Sequence, residues 1–306
     1  MIQPVDLVSE LIRFESTSSL SNAEISGYLV DLFPRLDFEV EQVEYESPPG
    51  VRKVNVIAKK GKGTGGVAYF GHSDVVPADN WKFAEHGPYQ PTIRDGMLYG
   101  RGSCDMKGSV AAFMAAAQSF TSASLKQPIY IAITADEEVG FLGAEQVQKR
   151  SVLFREMVAG QSRGIIGEPT ELNVVYAHKG AYGFRAIARG RAAHSSTNRG
   201  INANLAMIPF LVEMKRIHDE TLVDPQWLNQ EFNPPGISWN IGINDFTRAV
   251  NITPPQSICT VYFRPMPGMD PEILLDRARS LAESHGLEFI VMGRGPAVYV
   301  DPHSDF

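Results

Sequence analysis

A chain of 306 residues, 43 % hydrophobic and 21 % charged, is long enough for one large or two medium globular domains with a well-filled core. Its formal charge of −7 and pI of 5.6 speak against a nucleic-acid-binding face, which would be basic, and no apolar run reaches the ~18 residues of a membrane span. The segment from Met1 to Asp6 lacks the basic-then-apolar pattern of a signal peptide. Two cysteines, Cys104 and Cys259, build no disulfide framework, so the expected compartment is a reducing cytoplasm.

In chain order, Val5, Val8, Leu11 and Ile12 recur at helical spacing. Ile25, Leu29, Leu32 and Phe33 repeat the pattern after Ser21-Asn22, a helix N-cap. Short apolar runs at 54–58, 67–70, 129–133 and 164–167 lie beside glycine-containing turns and predict strands buried on both faces of a helix-covered sheet. Between them, 109–120 is rich in small residues and predicts a helix suited to close packing on that sheet. Strands alternating with helices indicate an α/β architecture.

The texture changes near Ala177. Residues 184–189 mix apolar and basic side chains as a half-exposed strand would. A helix is expected over 202–218, then a Pro/Asn-rich loop around 229–235. A strand over 258–263, a helix over 271–285 and a strand over 287–291 follow. This predicts an α+β unit, residues 177–293, inserted into a first domain made of 1–176 and 294–306.

Acidic and imidazole side chains stand at the ends of the predicted strands: His72-Ser73-Asp74, Asp105, Glu137-Glu138 and Glu168. One at a time they are ordinary: a strand-end histidine capped by Asp74, a helix-capping Asp105, solvated loop acids, a turn glutamate. Together they read as a two-metal hydrolase site. His72 and Asp74, at i and i+2, face the same way, and neutral imidazole is the commonest metal ligand. Adjacent carboxylates at 137 and 138 repel unless a cation lies between them.

Phe70-Gly71-His72-Ser73-Asp74-Val75-Val76-Pro77, Tyr99-Gly100-Arg101-Gly102-Ser103-Cys104-Asp105-Met106-Lys107-Gly108, Asp136-Glu137-Glu138-Val139-Gly140 and Gly167-Glu168-Pro169-Thr170 together resemble the co-catalytic zinc aminoacylase/carboxypeptidase family. That family includes acetylornithine deacetylase, succinyl-diaminopimelate desuccinylase, aminoacylases and glutamate carboxypeptidases. The resemblance covers essentially the whole chain. It implies a zinc-peptidase-like catalytic domain with a mostly parallel central sheet, and a ferredoxin-like inserted domain that forms a homodimer or lid through 177–293. It further implies that Asp105 bridges two zinc ions, that His72 and Glu168 complete one site, and that Glu138 belongs to the other. Glu137 would be the general base that carries a proton to the leaving amine, Asp74 the partner behind His72, and the peptide bond after Asp105 would be cis. Carboxylates with imidazole suit zinc, with cobalt or manganese as replacements.

By the same resemblance, Ala193-His194-Ser195-Ser196 carries an oxyanion-stabilising histidine, His194, acting across a dimer or after domain closure. Asn251 and Arg264 would contact substrate, the guanidinium fork suiting an α-carboxylate. Without the family, His194 reads as a loop histidine packed against Arg199 and Arg264 as a surface arginine at a strand end. Cys104 is expected as a small buried filler, 178–180 as a turn, and His86, His218 and His285 as exposed. Family members continue past the position of Phe306 and supply a last histidine ligand there, and the surroundings of His303 look like a linker instead. The expectation is a complete His72/Asp105/Glu168 site, an Asp105/Glu138 site short of its third ligand, and an open sheet edge unless something covers it.

The implied activity is removal of an acyl group from a small N-acyl amino acid, with no nucleic-acid or membrane partner. Details in 136–144, 177–180, 199–203 and 264–269 look most like acetylornithine deacetylases, making acetylornithine the first substrate to test. Succinyl-diaminopimelate desuccinylase, a metallo-dipeptidase or carboxypeptidase, and a non-catalytic metal-binding or dimerisation fragment are the competing readings.

Overall fold

The computed structural model describes residues 2–305, in two compact units that divide between Asn173 and Val174. The first begins with helices α1 (Pro4–Arg13) and α2 (Ala23–Arg35), followed by strands β1 (Glu39–Glu46), β2 (Arg52–Lys60) and β3 (Val67–His72). A small hairpin, β4 (Thr92–Arg94) with β5 (Met97–Tyr99), leads to α3 (Lys107–Ala117) and β6 (Ile129–Thr134). Helices α4 (Leu142–Arg150) and α5 (Val152–Ala159) and strand β7 (Arg163–Ile166) complete it. The main sheet runs β1-β2-β6-β3-β7.

Strand alternation divides the apolar residues of this sheet between two layers of helices. Val54, Val56, Ala58, Ile131 and Ile133 pack with Leu7, Leu11, Leu29, Phe33, Val110 and Met114 of α1, α2 and α3. The intervening Ile57, Tyr130 and Ala132 pack with Val147 and Met157 of α4 and α5. An α/β fold is therefore observed, with a mixed rather than mostly parallel sheet: β3 is parallel to β6 and β7, whereas β1–β2 and β2–β6 are antiparallel. The reason is β1, an edge strand that the sequence reading missed. It pairs with β2 as a hairpin, so that β2 runs against both β1 and β6. Strand β7 also departs from expectation, since all four of its residues are exposed along the other edge.

In the second unit, β8 (Ala177–His178) precedes β9 (Ala181–Arg189), α6 (Ala203–Val223), β10 (Ser238–Asn244), β11 (Gln256–Arg264), α7 (Glu272–Ser284), β12 (Glu288–Gly295) and β13 (Val298–Tyr299). From β9 to β12 this is the βαββαβ ferredoxin-like order, in an antiparallel sheet β10-β11-β9-β12. Phe184, Val261 and Phe263 pack with Phe210 and Met214 of α6 and with Leu274, Leu275 and Ala278 of α7. Strand β9 is mostly buried, not half-exposed, because it lies between two neighbours and under both helices. Past β12, Val298–Tyr299 pairs with Ala177–His178. No described helix is long and apolar enough to cross a membrane.

Candidate metal centre

Strands β3, β6 and β7 run parallel and in register, with Phe70 beside both Ala132 and Ile166, so their carboxyl ends open on one edge of the sheet. Such edges are where open α/β sheets bind ligands. His72 closes β3, Glu137-Glu138 follow β6, Glu168 follows β7, and Asp105 stands just before α3. Two glycines make this convergence possible. A Cβ at Gly167 would lie 2.2 Å from the Tyr69 hydroxyl and 2.4 Å from Ser109 Oγ, so only glycine lets the chain pass there on its way to Glu168. Gly102 takes φ +84, and a Cβ would press on Val75 and Lys107, which fixes the turn ahead of Asp105. The Asp105–Met106 peptide is cis, as the family resemblance implied.

The four carboxylates converge on one imidazole. His72 Nε2 lies 3.1 Å from Asp105 Oδ1, 3.7 Å from Glu137 Oε2 and 3.8 Å from Glu168 Oε1. The donor atoms of His72, Glu137 and Glu168 lie within 4.8 Å of one another, as do those of His72, Asp105 and Glu138. His72 Nδ1 is 2.8 Å from the Asp74 carbonyl oxygen. That oxygen can only accept, so Nδ1 carries the proton, and in the neutral imidazole that binds metal Nε2 presents a lone pair to the carboxylates. A lone pair facing anionic oxygens is repulsive unless a cation lies between them, so the donor set fits divalent metal.

Asp74 stands behind His72 through both its backbone and its side chain. Its backbone carbonyl orients His72, while its carboxylate is 3.6 Å from Nδ1. That carboxylate accepts from Ser18 Oγ at 2.7 Å and from the backbone N–H groups of Glu137 and Glu138 at 3.2 and 3.3 Å. Asp74 therefore ties the end of β3 to the turn after β6. Ser18 gave no sequence signal, because its partner lies 56 residues away.

The electrostatics express the crowding. Burial raises the pKa values of Glu137, Glu138 and Glu168, and neighbouring carboxylates add to the rise while His72 opposes it. For His72, burial opposes the charged form, but the Asp74 charge, the Asp74 carbonyl, Glu137 and Glu168 outweigh it, and the pKa rises. Cys104, expected as buried filler, is exposed.

In the second unit, His194 and Asn251 come together. Their loops pair through a His194–Ile252 bridge, the Ser195 N–H donates to the Asn251 carbonyl at 2.8 Å, and Asn251 Nδ2 is 3.4 Å from His194 Nε2. The Ser196 N–H donates to His194 Nδ1 at 3.2 Å. Arg264 has other partners: its Nε donates to the Gly180 carbonyl at 2.6 Å and its guanidinium stacks on Tyr262.

One imidazole lone pair and four carboxylates at the carboxyl edge of an α/β sheet define the class, a metal-dependent hydrolase. The chain belongs to peptidase family M20/M25/M40, whose model matches residues 68–301. It is 33 % identical over 271 residues to an acetylornithine deacetylase of Myxococcus xanthus, a match spanning 87 % of this chain and 67 % of that protein. Its fold is similar to that of the family M20 metallo-carboxypeptidase Sso-CP2 from Sulfolobus solfataricus (TM-score 0.76, 16 % identity, 99 % of this chain and 81 % of the other). The di-peptidase Dug1p from Saccharomyces cerevisiae is also similar (TM-score 0.69, 16 % identity, 99 % and 79 %).

Proposed function

We propose that the protein is an amidohydrolase that removes the acyl group from an N-acyl amino acid, with acetylornithine as its first substrate. The carrying observation is the His72 Nε2 lone pair directed at Asp105, Glu137 and Glu168, supported by the likeness to an acetylornithine deacetylase. Asp105, His72, Glu168 and Glu138 would hold two zinc ions, which cobalt or manganese could replace. When bound, these ions polarise the scissile carbonyl and acidify the attacking water. Glu137 would take the water proton and deliver it to the leaving amine. His194 would bind the tetrahedral oxygen, and Asn251 and Arg264 would position substrate.

We further propose that residues 177–293 form the inserted unit of a catalytic domain made of 1–176 and 294–306, in a cytoplasmic homodimer. Pairing of Ala177–His178 with Val298–Tyr299 brings the two ends of the insertion side by side. Exposed Leu205, Ile208 and Val212 on α6, with the open edge of β10, suit self-association. A strictly monomeric mass by light scattering would count against the dimer. Zinc titration with assays on acetylornithine, succinyl-diaminopimelate and dipeptides tests the activity. Hydrolysis of a dipeptide alone would move the chain among metallo-dipeptidases, and zinc binding without any hydrolysis would favour a non-catalytic fragment.

A further inference from the structure

Behind the Glu137–Glu138 turn lies a charge that neither metal binding nor proton transfer uses. Lys53 on β2 is 0 % exposed, and Asp136, immediately before Glu137, is 1 % exposed. Lys53 Nζ is ion-paired with Asp136 Oδ1 at 2.7 Å and donates to the Ser18 carbonyl at 2.6 Å and the Leu20 carbonyl at 2.8 Å. The Tyr45 hydroxyl donates to Asp136 Oδ2 at 2.9 Å.

Strand register explains why these groups meet. Tyr45 on β1 is directly opposite Lys53. On the other side Val56 is opposite Ile133, and continuing that register by three residues (56 to 53, 133 to 136) sets Lys53 opposite Asp136. Asn55, on the same face of β2 as Lys53, accepts from the Ala135 N–H at 2.9 Å and so holds the turn one residue earlier. Asp136 itself takes φ +57, and its carbonyl accepts from the Phe141 N–H at 2.8 Å, closing the turn that carries both glutamates. Ser18 links the two systems: its carbonyl is held by Lys53, and its hydroxyl donates to Asp74, whose carboxylate holds the Glu137 and Glu138 N–H groups.

We propose that Lys53, Asp136 and Tyr45 form a positioning device that holds the backbone of Glu137 and Glu138, and with it the angle at which the base and its neighbouring ligand enter the metal centre. This deepens the functional reading above and rests on it for the identity of the base. A buried ion pair is an expensive way to fill a core that apolar side chains fill more cheaply, and what it adds is one fixed geometry. Burial, together with the bond to Asp136 and its charge, raises the pKa of Tyr45, keeping its proton on the phenol and available to Asp136.

The test uses the full chain, with zinc as probe, as wild type, Tyr45→Phe, Lys53→Met and the double variant Lys53→Met/Asp136→Asn. Tyr45→Phe should lower kcat about tenfold with KM and zinc stoichiometry unchanged. Lys53→Met alone should lower the melting temperature by stranding the Asp136 charge. The double variant, with both charges gone, should recover melting temperature without recovering kcat, and its zinc affinity should stay about tenfold below wild type. A double variant that regains kcat and zinc affinity along with stability would show a merely structural pair and overturn the proposal, as would Tyr45→Phe with wild-type kcat. If wild type hydrolyses no acyl amino acid, the functional reading fails, and zinc affinity still decides the positioning role. Wild-type affinity in the double variant would sink it.

Discussion

The two units of this chain bury different things. The first encloses Lys53, Lys60, His72, Asp74, Lys107 and Asp136, charged or imidazole groups that need partners and therefore impose geometry. In the second, the only buried polar side chains among the described residues are Thr221 and Ser257, set in an apolar core. The first unit thus carries a rigid charged site, while the second holds itself together by packing and places His194 and Asn251 on exposed loops. Precision in the metal centre comes from buried polar bonding, and the second unit is free to vary at its surface.

The largest expected effect probes the first unit at its centre. Glu137→Gln should lower kcat by about 10²–10⁴ while zinc binding persists, measured by steady-state assay beside metal analysis. Lys53→Met should cost about 3–5 kcal/mol of stability, because it leaves a buried carboxylate unpaired. In the second unit Phe263→Ala should cost a similar ~3–5 kcal/mol through cavity formation alone. Denaturant melts at two pH values distinguish them, since the cavity loss should be the same at both. A pH-dependent loss at Phe263 would blur the contrast between the units.

Much of the site is legible in the sequence because its ligands sit where apolar runs stop: His72, Glu137-Glu138 and Glu168 each end or follow a parallel strand. The edge strands are harder to read. In β1, Val40, Val43 and Tyr45 stand among glutamates, and β10 contains Asn240 and Gly242. Each has only one strand neighbour, so neither needs a continuous apolar run. Asn22 stands at the N-cap of α2 as its residue type predicts, yet its side chain bonds Val54, the Ser26 hydroxyl and the Ser73 hydroxyl instead of capping a backbone N–H of the helix. Lys53, Asp136 and Tyr45 are illegible for another reason. Tyr45 and Lys53 come from two strands and Asp136 from the turn after a third, and nothing local in the sequence shows the register that joins them.

A smaller effect tests the electrostatics. Glu137, Glu138 and Glu168 have folded-state pKa values raised above 4.5, and His72 above 6.5. The stability each contributes is full below its ordinary value and is lost as pH rises through its raised one. The metal-free first unit should therefore lose stability as pH rises above 4.5, and further as it rises above 6.5, and zinc should flatten that slope by replacing the protons. Lys107, lowered to about 7 by burial, contributes with the opposite sign. A metal-free melting temperature that does not fall as pH rises above 4.5 would contradict the crowding of carboxylates. The smallest effect concerns the two thiols. Exposed Cys104 should react with an alkylating reagent on the folded chain, whereas Cys259, buried and pushed up to about 12 by that burial, should react only after unfolding. Two reactive thiols by mass spectrometry before unfolding would show the second core to be open.

Deacetylation of acetylornithine by zinc-loaded wild type and Glu137→Gln, with zinc content measured on the same samples, is the most direct test. Turnover by wild type, and its loss in the variant at equal zinc content, is the predicted result. Equal turnover by both, or zinc-loaded wild type that leaves the amide intact, would contradict it.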